Sequence, residues 1–113
     1  MRKKIYYFDN AATTALGAKP LADMLPFLTQ EYGNASTIYE LGRTARQAVE
    51  ESRQKIAAAI GARPEEIYFT SGGTESDNWA IRSIAERFAG KKNKLITSTI
   101  EHHAVLHTME KLA

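Results

Sequence analysis

Between Phe69 and Ser76 the chain reads FTSGGTES. Glu66 to Thr70 has the composition of a strand introduced by Pro64, and it enters two adjacent glycines. A helical pattern begins at once and runs from Thr74 to Ala89, with Ala80, Ile81, Ile84, Ala85 and Phe88 on its inward face and Gly90 as the stop. Lys94 to Ser98 reads as the next strand, centred on Leu95 and Ile96. A strand, a crossover helix and a strand predict parallel pairing with a right-handed connection. The fold class expected is therefore α/β.

The rest of the chain surrounds that unit. Ile5 to Phe8 is a short aromatic run that can pair as a strand, and Asp9 to Thr14 reads as a loop. A first helix is predicted over Pro20 to Tyr32, with Leu21, Met24, Leu25 and Leu28 at helical spacing. Pro26 predicts a kink or break there, and Gly33 ends the helix. A second helix is predicted from Thr37 to Ile60, about 36 Å long. Thr37 and Glu40 form a capping box, and Gly61 stops the helix. Leu41, Ala45, Ala48, Val49, Ser52, Ile56, Ala59 and Ile60 mark one apolar face. A helix of that reach is expected to bridge to a second domain or a partner chain. A last helix opens at His102 or His103, with Val105, Met109 and Leu112 inward. The length suits one domain over residues 1–113.

Composition narrows the chemistry. There is no cysteine, so disulfides, thiolate metal sites and a cysteine nucleophile are excluded within these residues. The formal charge is +2 and no face carries a basic stripe, so nucleic acid is not an expected partner. The clusters Arg2-Lys3-Lys4 and Lys91-Lys92 with Lys94 read as solvated ends and loops. No apolar run is long enough to cross a bilayer and the start is no signal core, so no membrane partner and a cytoplasmic location are expected.

The glycine turn is an anion site in outline. The first amides of a helix have no internal partner and carry partial positive charge. Glycines let a ligand approach the backbone, and Ser71 and Thr74 add hydroxyls. The residues alone leave open a plain N-cap made by Ser71 or Thr74. A Walker loop is excluded because the only Gly-Lys, Gly90-Lys91, continues with Lys92, and a dinucleotide fingerprint because Gly72 and Gly73 are adjacent. Glu75 and Asp77 are expected to point aside from any bound anion. His102 follows the second strand, and ligands collect at the carboxyl ends of parallel strands. A phosphate socket beside an imidazole suits a flat phosphorylated aromatic cofactor, although a histidine at a helix start is also an ordinary cap. His103 and His107 have the spacing of metal ligands, but Glu110 is the only extra ligand on that face and no metal is assigned.

Four blocks together resemble one family: Tyr7-Phe8-Asp9-Asn10-Ala11-Ala12-Thr13-Thr14, then Tyr32-Gly33-Asn34, then Phe69 to Asn78, then Glu101-His102-His103-Ala104-Val105-Leu106. They stand in the order and spacing of the cysteine desulfurases, pyridoxal-phosphate enzymes of the class V aminotransferase group. The resemblance implies the amino-terminal part of a fold-type I transferase: a long helix followed by a parallel β-α-β unit. It implies that Gly73 and Thr74 hold the cofactor phosphate. It implies that His102 stacks on the pyridine ring and assists proton transfer as a catalytic residue. It implies that the Asp9 to Thr14 loop lines the cleft near the substrate.

The implied reaction takes sulfur from L-cysteine, leaves L-alanine, and passes the sulfur to an acceptor protein for iron–sulfur clusters or thio-modified RNA. A homodimer is the implied assembly. Ala35 stands where the family often has proline, Tyr39 where it commonly has histidine, and Gly73 where it often has alanine.

The resemblance reaches only the beginning of the family's sequence. The Schiff-base lysine, the aspartate for the pyridine nitrogen, the arginine for the substrate carboxylate and the nucleophilic cysteine all fall later in it. The chain is accordingly expected to be truncated, inactive alone, weak in cofactor binding, and prone to self-association through its long helix. Two alternatives remain: another class V member such as a selenocysteine lyase, and a small non-catalytic phosphate-binding or assembly module.

Overall fold

A computed structural model describes residues 3–113. Arg2, the first of the amino-terminal basic cluster, lies outside the described residues. The chain divides into two compact units, Met1–Ile67 and Tyr68–Ala113. The first holds α1 (Ala18–Thr29), α2 (Glu40–Ile60) and a 3-10 turn at Pro64–Glu66. The second holds α3 (Gly73–Arg87) and α4 (His103–Leu112).

In the first unit, α1 runs through Pro26 and closes on its carbonyl, which accepts from the Gln30 and Glu31 amides at 2.8 and 2.9 Å. The expected extension to Tyr32 therefore stops at Thr29. The helix α2 starts later than predicted. Thr37 does not cap it: its hydroxyl donates to the Asn34 carbonyl at 2.7 Å, its amide donates to the same oxygen at 3.0 Å, and Tyr39 is the N-cap. The Asn34 side chain also accepts from the Ser36 amide at 2.9 Å, an Asx turn that holds the chain away from helix until Glu40. Gly42 packs against this turn; a Cβ there would collide with Thr37 Oγ1 and sit 2.7 Å from the Asn34 carbonyl. At the other end Gly61 adopts φ 70°, and the Ala62 amide reaches back to Ala57 at 2.9 Å, as the sequence predicts.

The predicted apolar face of α2 is not its packed face. Gly42 and Ala57 are the buried positions, about a quarter turn round from the centre of the Leu41–Ile60 stripe. Hydrogen bonds draw the helix to that side: Arg46 Nε donates to the Ala35 carbonyl at 2.7 Å, and Arg53 donates to the Ile67 carbonyl. Leu41, Val49 and Ile56 remain 38%, 39% and 42% exposed.

The expected strands at Ile5–Phe8, Glu66–Thr70 and Lys94–Ser98 form no ladder, and no strand occurs among the described residues. Glu66 belongs to the 3-10 turn, where its carboxylate accepts from the Arg63 amide at 2.9 Å. Strand preference is largely packing against neighbours and cover. Ile96, the centre of one expected strand, is 85% exposed and has no such cover.

In the second unit α3 and α4 pack on each other. Val105, Met109 and Leu112 are half-buried as predicted, around the buried Ala104 and Thr108. On α3 Ile81, Ala85 and Phe88 are half-buried, whereas Ala80 and Ile84 stay exposed. α3 ends at Arg87 with Phe88 as its C-cap, two residues short of the expected Ala89, and Gly90 adopts φ 74° in the turn beyond.

Candidate functional site

The turn before α3 is organised by its own side chains. The first intrahelical amide bond runs from Ser76 to the Gly72 carbonyl at 3.1 Å, so Gly73, Thr74 and Glu75 precede any i−4 acceptor in the helix. No side chain caps the helix: Gly72 is the N-cap, and neither Ser71 nor Thr74 fills that role. A Cβ added at Gly72 or at Gly73 would meet nothing within 4 Å, which leaves the backbone open to a ligand. Thr70 Oγ1 sits 2.7 Å from Ser76 Oγ and donates toward the Gly72 carbonyl at 3.2 Å, pinning the turn from behind.

Glu75 does not stand aside. Its Oε2 accepts the Ser71 amide at 2.6 Å and the Ser71 hydroxyl at 2.7 Å. Those contacts hold its carboxyl below the ordinary value, chiefly through the Ser71 amide and then the Ser71 hydroxyl, against a small opposing effect of desolvation. Ser71 is thereby occupied. The donors left at the turn are the opening amides of α3 and the Thr74 hydroxyl.

Thr74 and His102 line one cleft of about 290 Å³, together with Asn78, His103, His107 and Lys111. Gly73 is adjacent in sequence but is not part of the wall. His102 is the N-cap of α4: its Nδ1 accepts from the Ala104 amide at 3.1 Å. A nitrogen that accepts carries no proton, so the neutral ring keeps its proton on Nε2. The capping bond also fixes the ring's orientation. His103 and His107 stack one turn apart, with centroids 5.2 Å apart and planes at 28°. Among the described residues no group of three or more His, Cys, Asp or Glu is placed to hold a metal ion.

Two residues given no role from sequence join the cleft to the helix interface. Asn78 Nδ2 donates to the Thr74 carbonyl at 2.8 Å and reaches the Ala104 carbonyl at 3.4 Å. The Thr108 hydroxyl lies 2.6 Å from Asn78 Oδ1 and 2.8 Å from the Ala104 carbonyl. The one signal available in sequence was the small polar pair at the helical spacing of the inward residues.

The Asp9 to Thr14 loop lies in the first unit. The Tyr7 hydroxyl sits 2.6 Å from the Asp9 carbonyl and 3.1 Å from that of Thr13, and the Ala12 amide donates to Asp9 at 3.1 Å. The loop is thus closed by its own residues.

A donor-lined turn, a fixed imidazole and an open cleft match the donor set a phosphorylated aromatic ligand requires. Comparison with known proteins gives the family. The family model described as aminotransferase class-V matches residues 6–113. The cysteine desulfurase IscS of Methanosarcina thermophila is 54% identical over 105 residues, covering 93% of this chain and 26% of the relative. That of Dictyoglomus turgidum is 51% identical over 113 residues, covering 97% and 29%. Among solved structures, a NifS-like protein superposes with a TM-score of 0.88 at 43% identity over 94% of the chain and 29% of its own length. A second, SspA in complex with cysteine, gives 0.86 at 40% identity over 94% and 30%. The chain spans under a third of the length of these relatives.

Proposed function

The chain belongs to the aminotransferase class-V family, and from that premise we propose that it supplies the phosphate and ring contacts of a pyridoxal-phosphate-dependent cysteine desulfurase. The observation that carries the reading is the meeting of Thr74 and His102 on one cleft. The Gly73 and Thr74 amides and the Thr74 hydroxyl hold the cofactor phosphate. The His102 ring, steadied by the Ala104 amide, would stack on the pyridine, and its Nε2 would be the nitrogen free to exchange a proton. When bound, pyridoxal phosphate supplies an electron-withdrawing ring that stabilises charge at the amino acid's α-carbon.

L-cysteine as substrate, an acceptor protein for the sulfur, and assembly as a homo-oligomer belong to the same proposal. So does the pairing of Glu66–Thr70 and Lys94–Ser98 as parallel strands in the fold of the longer relatives. The chain contains no cysteine to carry a persulfide, so by itself it is expected to bind without turnover.

A second reading is a phosphate-binding module without chemistry, in which the open backbone at Gly72 and Gly73 serves an anion alone. Titration with pyridoxine 5′-phosphate, which lacks the aldehyde and so forms no adducts with surface lysines, separates the two. The cofactor reading requires it to bind more tightly than glycerol phosphate, which has no ring. Equal affinity for both would leave the module. No binding of either would end both readings.

A further inference from the structure

Asn78 and Thr108 stand one helical turn beyond the residues that open the cleft. Thr74 lies in the first turn of α3 and Asn78 follows four residues later; Ala104 and Thr108 have the same relation in α4. Four residues of helix rise about 6 Å, so the pair lies beneath the cleft mouth.

The contact between them is the tightest polar link joining the two helices: Thr108 Oγ1 to Asn78 Oδ1 at 2.6 Å, across thirty residues of sequence. Thr108 is 2% exposed and Ala104 7%, and they are the only buried residues of α4. α3 has no buried residue at all. Half-buried aliphatic contacts between helices tolerate sliding. A part-buried hydroxyl–amide hydrogen bond does not, because its energy falls steeply with distance and angle. Through Nδ2 the same amide holds the Thr74 carbonyl at 2.8 Å and approaches the Ala104 carbonyl at 3.4 Å. One side chain therefore ties the first turn of the phosphate helix to the first turn of the histidine helix.

We infer that Asn78 and Thr108 are positioning residues that set the spacing between Thr74 and His102, so that one ligand can engage both. The inference rests on the cofactor reading above. A ligand with a phosphate at one end and a ring at the other gains from both anchors only if their separation matches its own length. The bridge supplies that match through the spacing of the two helices.

The test uses the isotopically labelled full chain and two probes, read by NMR at the Gly73 and Thr74 amides and at the His102 ring. Inorganic phosphate engages the turn alone; pyridoxine 5′-phosphate engages the turn and the ring. Thr108→Val removes the hydroxyl at nearly constant volume. It is expected to leave inorganic phosphate binding at the wild-type level and to weaken pyridoxine 5′-phosphate about tenfold, with the His102 shift lost. Thr108→Ser keeps the hydroxyl and is expected to restore wild-type binding of both.

Wild-type affinity for pyridoxine 5′-phosphate in Thr108→Val overturns the inference. So does equal loss of both probes, which marks a scaffold role only, and so does a Thr108→Ser variant as impaired as the valine one. If Thr108→Val does not fold by circular dichroism, Thr108→Ala replaces it with Thr108→Ser as its control, and loss of the ring-bearing probe alone in Thr108→Ala is required. A wild-type chain with no preference for pyridoxine 5′-phosphate over inorganic phosphate fails at the cofactor reading itself and takes the inference with it. Failure in the variants alone leaves that reading standing.

Discussion

The Glu75 carboxylate accepts both donors of Ser71, the amide at 2.6 Å and the hydroxyl at 2.7 Å. The contact closes the turn that leads into α3 and places a negative group beside the helix's positive end, where the dipole favours it. It also removes Ser71 from the set of free donors, so the proposed phosphate recognition would fall to Gly73 and Thr74. A carboxyl held below its ordinary value of 4.5 contributes stability that is fully present above that value and is lost as pH falls through the lowered one. The Ser71 amide shift, followed by NMR as a function of pH, is expected to titrate below 4.5. The transition should vanish in Glu75→Gln. A midpoint at or above the ordinary glutamate value would contradict the contact.

Thr74 supplies the one side-chain hydroxyl of the turn that lines the cleft. If it donates to a phosphate dianion, Thr74→Val should weaken pyridoxine 5′-phosphate by about 1–3 kcal/mol, the usual range for a hydrogen bond to a charged group. Affinity for pyridoxine, which has no phosphate, should not change. Calorimetric titration of both ligands checks this, and equal weakening of both would show that the hydroxyl serves the fold and not the anion.

What could be read from sequence follows the range of the interactions involved. The helices are recorded in local periodicity, and Gly61 and His102 punctuate them where expected because a cap involves only the adjoining turn, whereas α3 ends at Arg87, short of Gly90. The capping box at Thr37 failed for an equally local reason: Asn34, three residues earlier, competes for the same hydroxyl and amide. The strands do not form among the described residues because pairing is not a property of the segment; Ile96 has β-branched composition and nothing laid over it. Motif and chain order single out Thr74 and His102, which line one cleft. Asn78 and Thr108 were missed because their contact spans thirty positions and neither residue type announces a partner.

Two glycines should respond oppositely to the same change. Gly42 is buried under the Asn34 turn, and a methyl group there collides with Thr37 Oγ1 and crowds the Asn34 carbonyl at 2.7 Å. Gly42→Ala is therefore expected to cost about 1–3 kcal/mol, as overpacking does. Gly73 opens α3 with nothing within 4 Å of a new Cβ and no positive φ to preserve. Gly73→Ala should be neutral or stabilising by up to about 1 kcal/mol through the entropy of the unfolded chain. Urea unfolding of the two variants gives the comparison, and a destabilised Gly73→Ala would show that the turn tolerates no side chain there.

The exposed stripe on α2 has a consequence for the chain in solution. Leu41, Val49 and Ile56 share one face, each more than a third exposed, while the helix packs through Gly42 and Ala57 instead. Contiguous apolar surface of this kind is rare on monomers and drives association in proportion to the area covered. Sedimentation velocity should show a weight-average coefficient that rises with concentration. In the Val49→Glu/Ile56→Glu double variant that rise should disappear, because two charges would have to be desolvated at any contact formed through the stripe. Neither position is buried in the chain itself, so each substitution should change its unfolding free energy by no more than about 0.5 kcal/mol. The double variant thus separates association from folding. A wild-type chain that sediments as a monomer at every concentration would mean that the stripe is too narrow or too interrupted to hold a second surface.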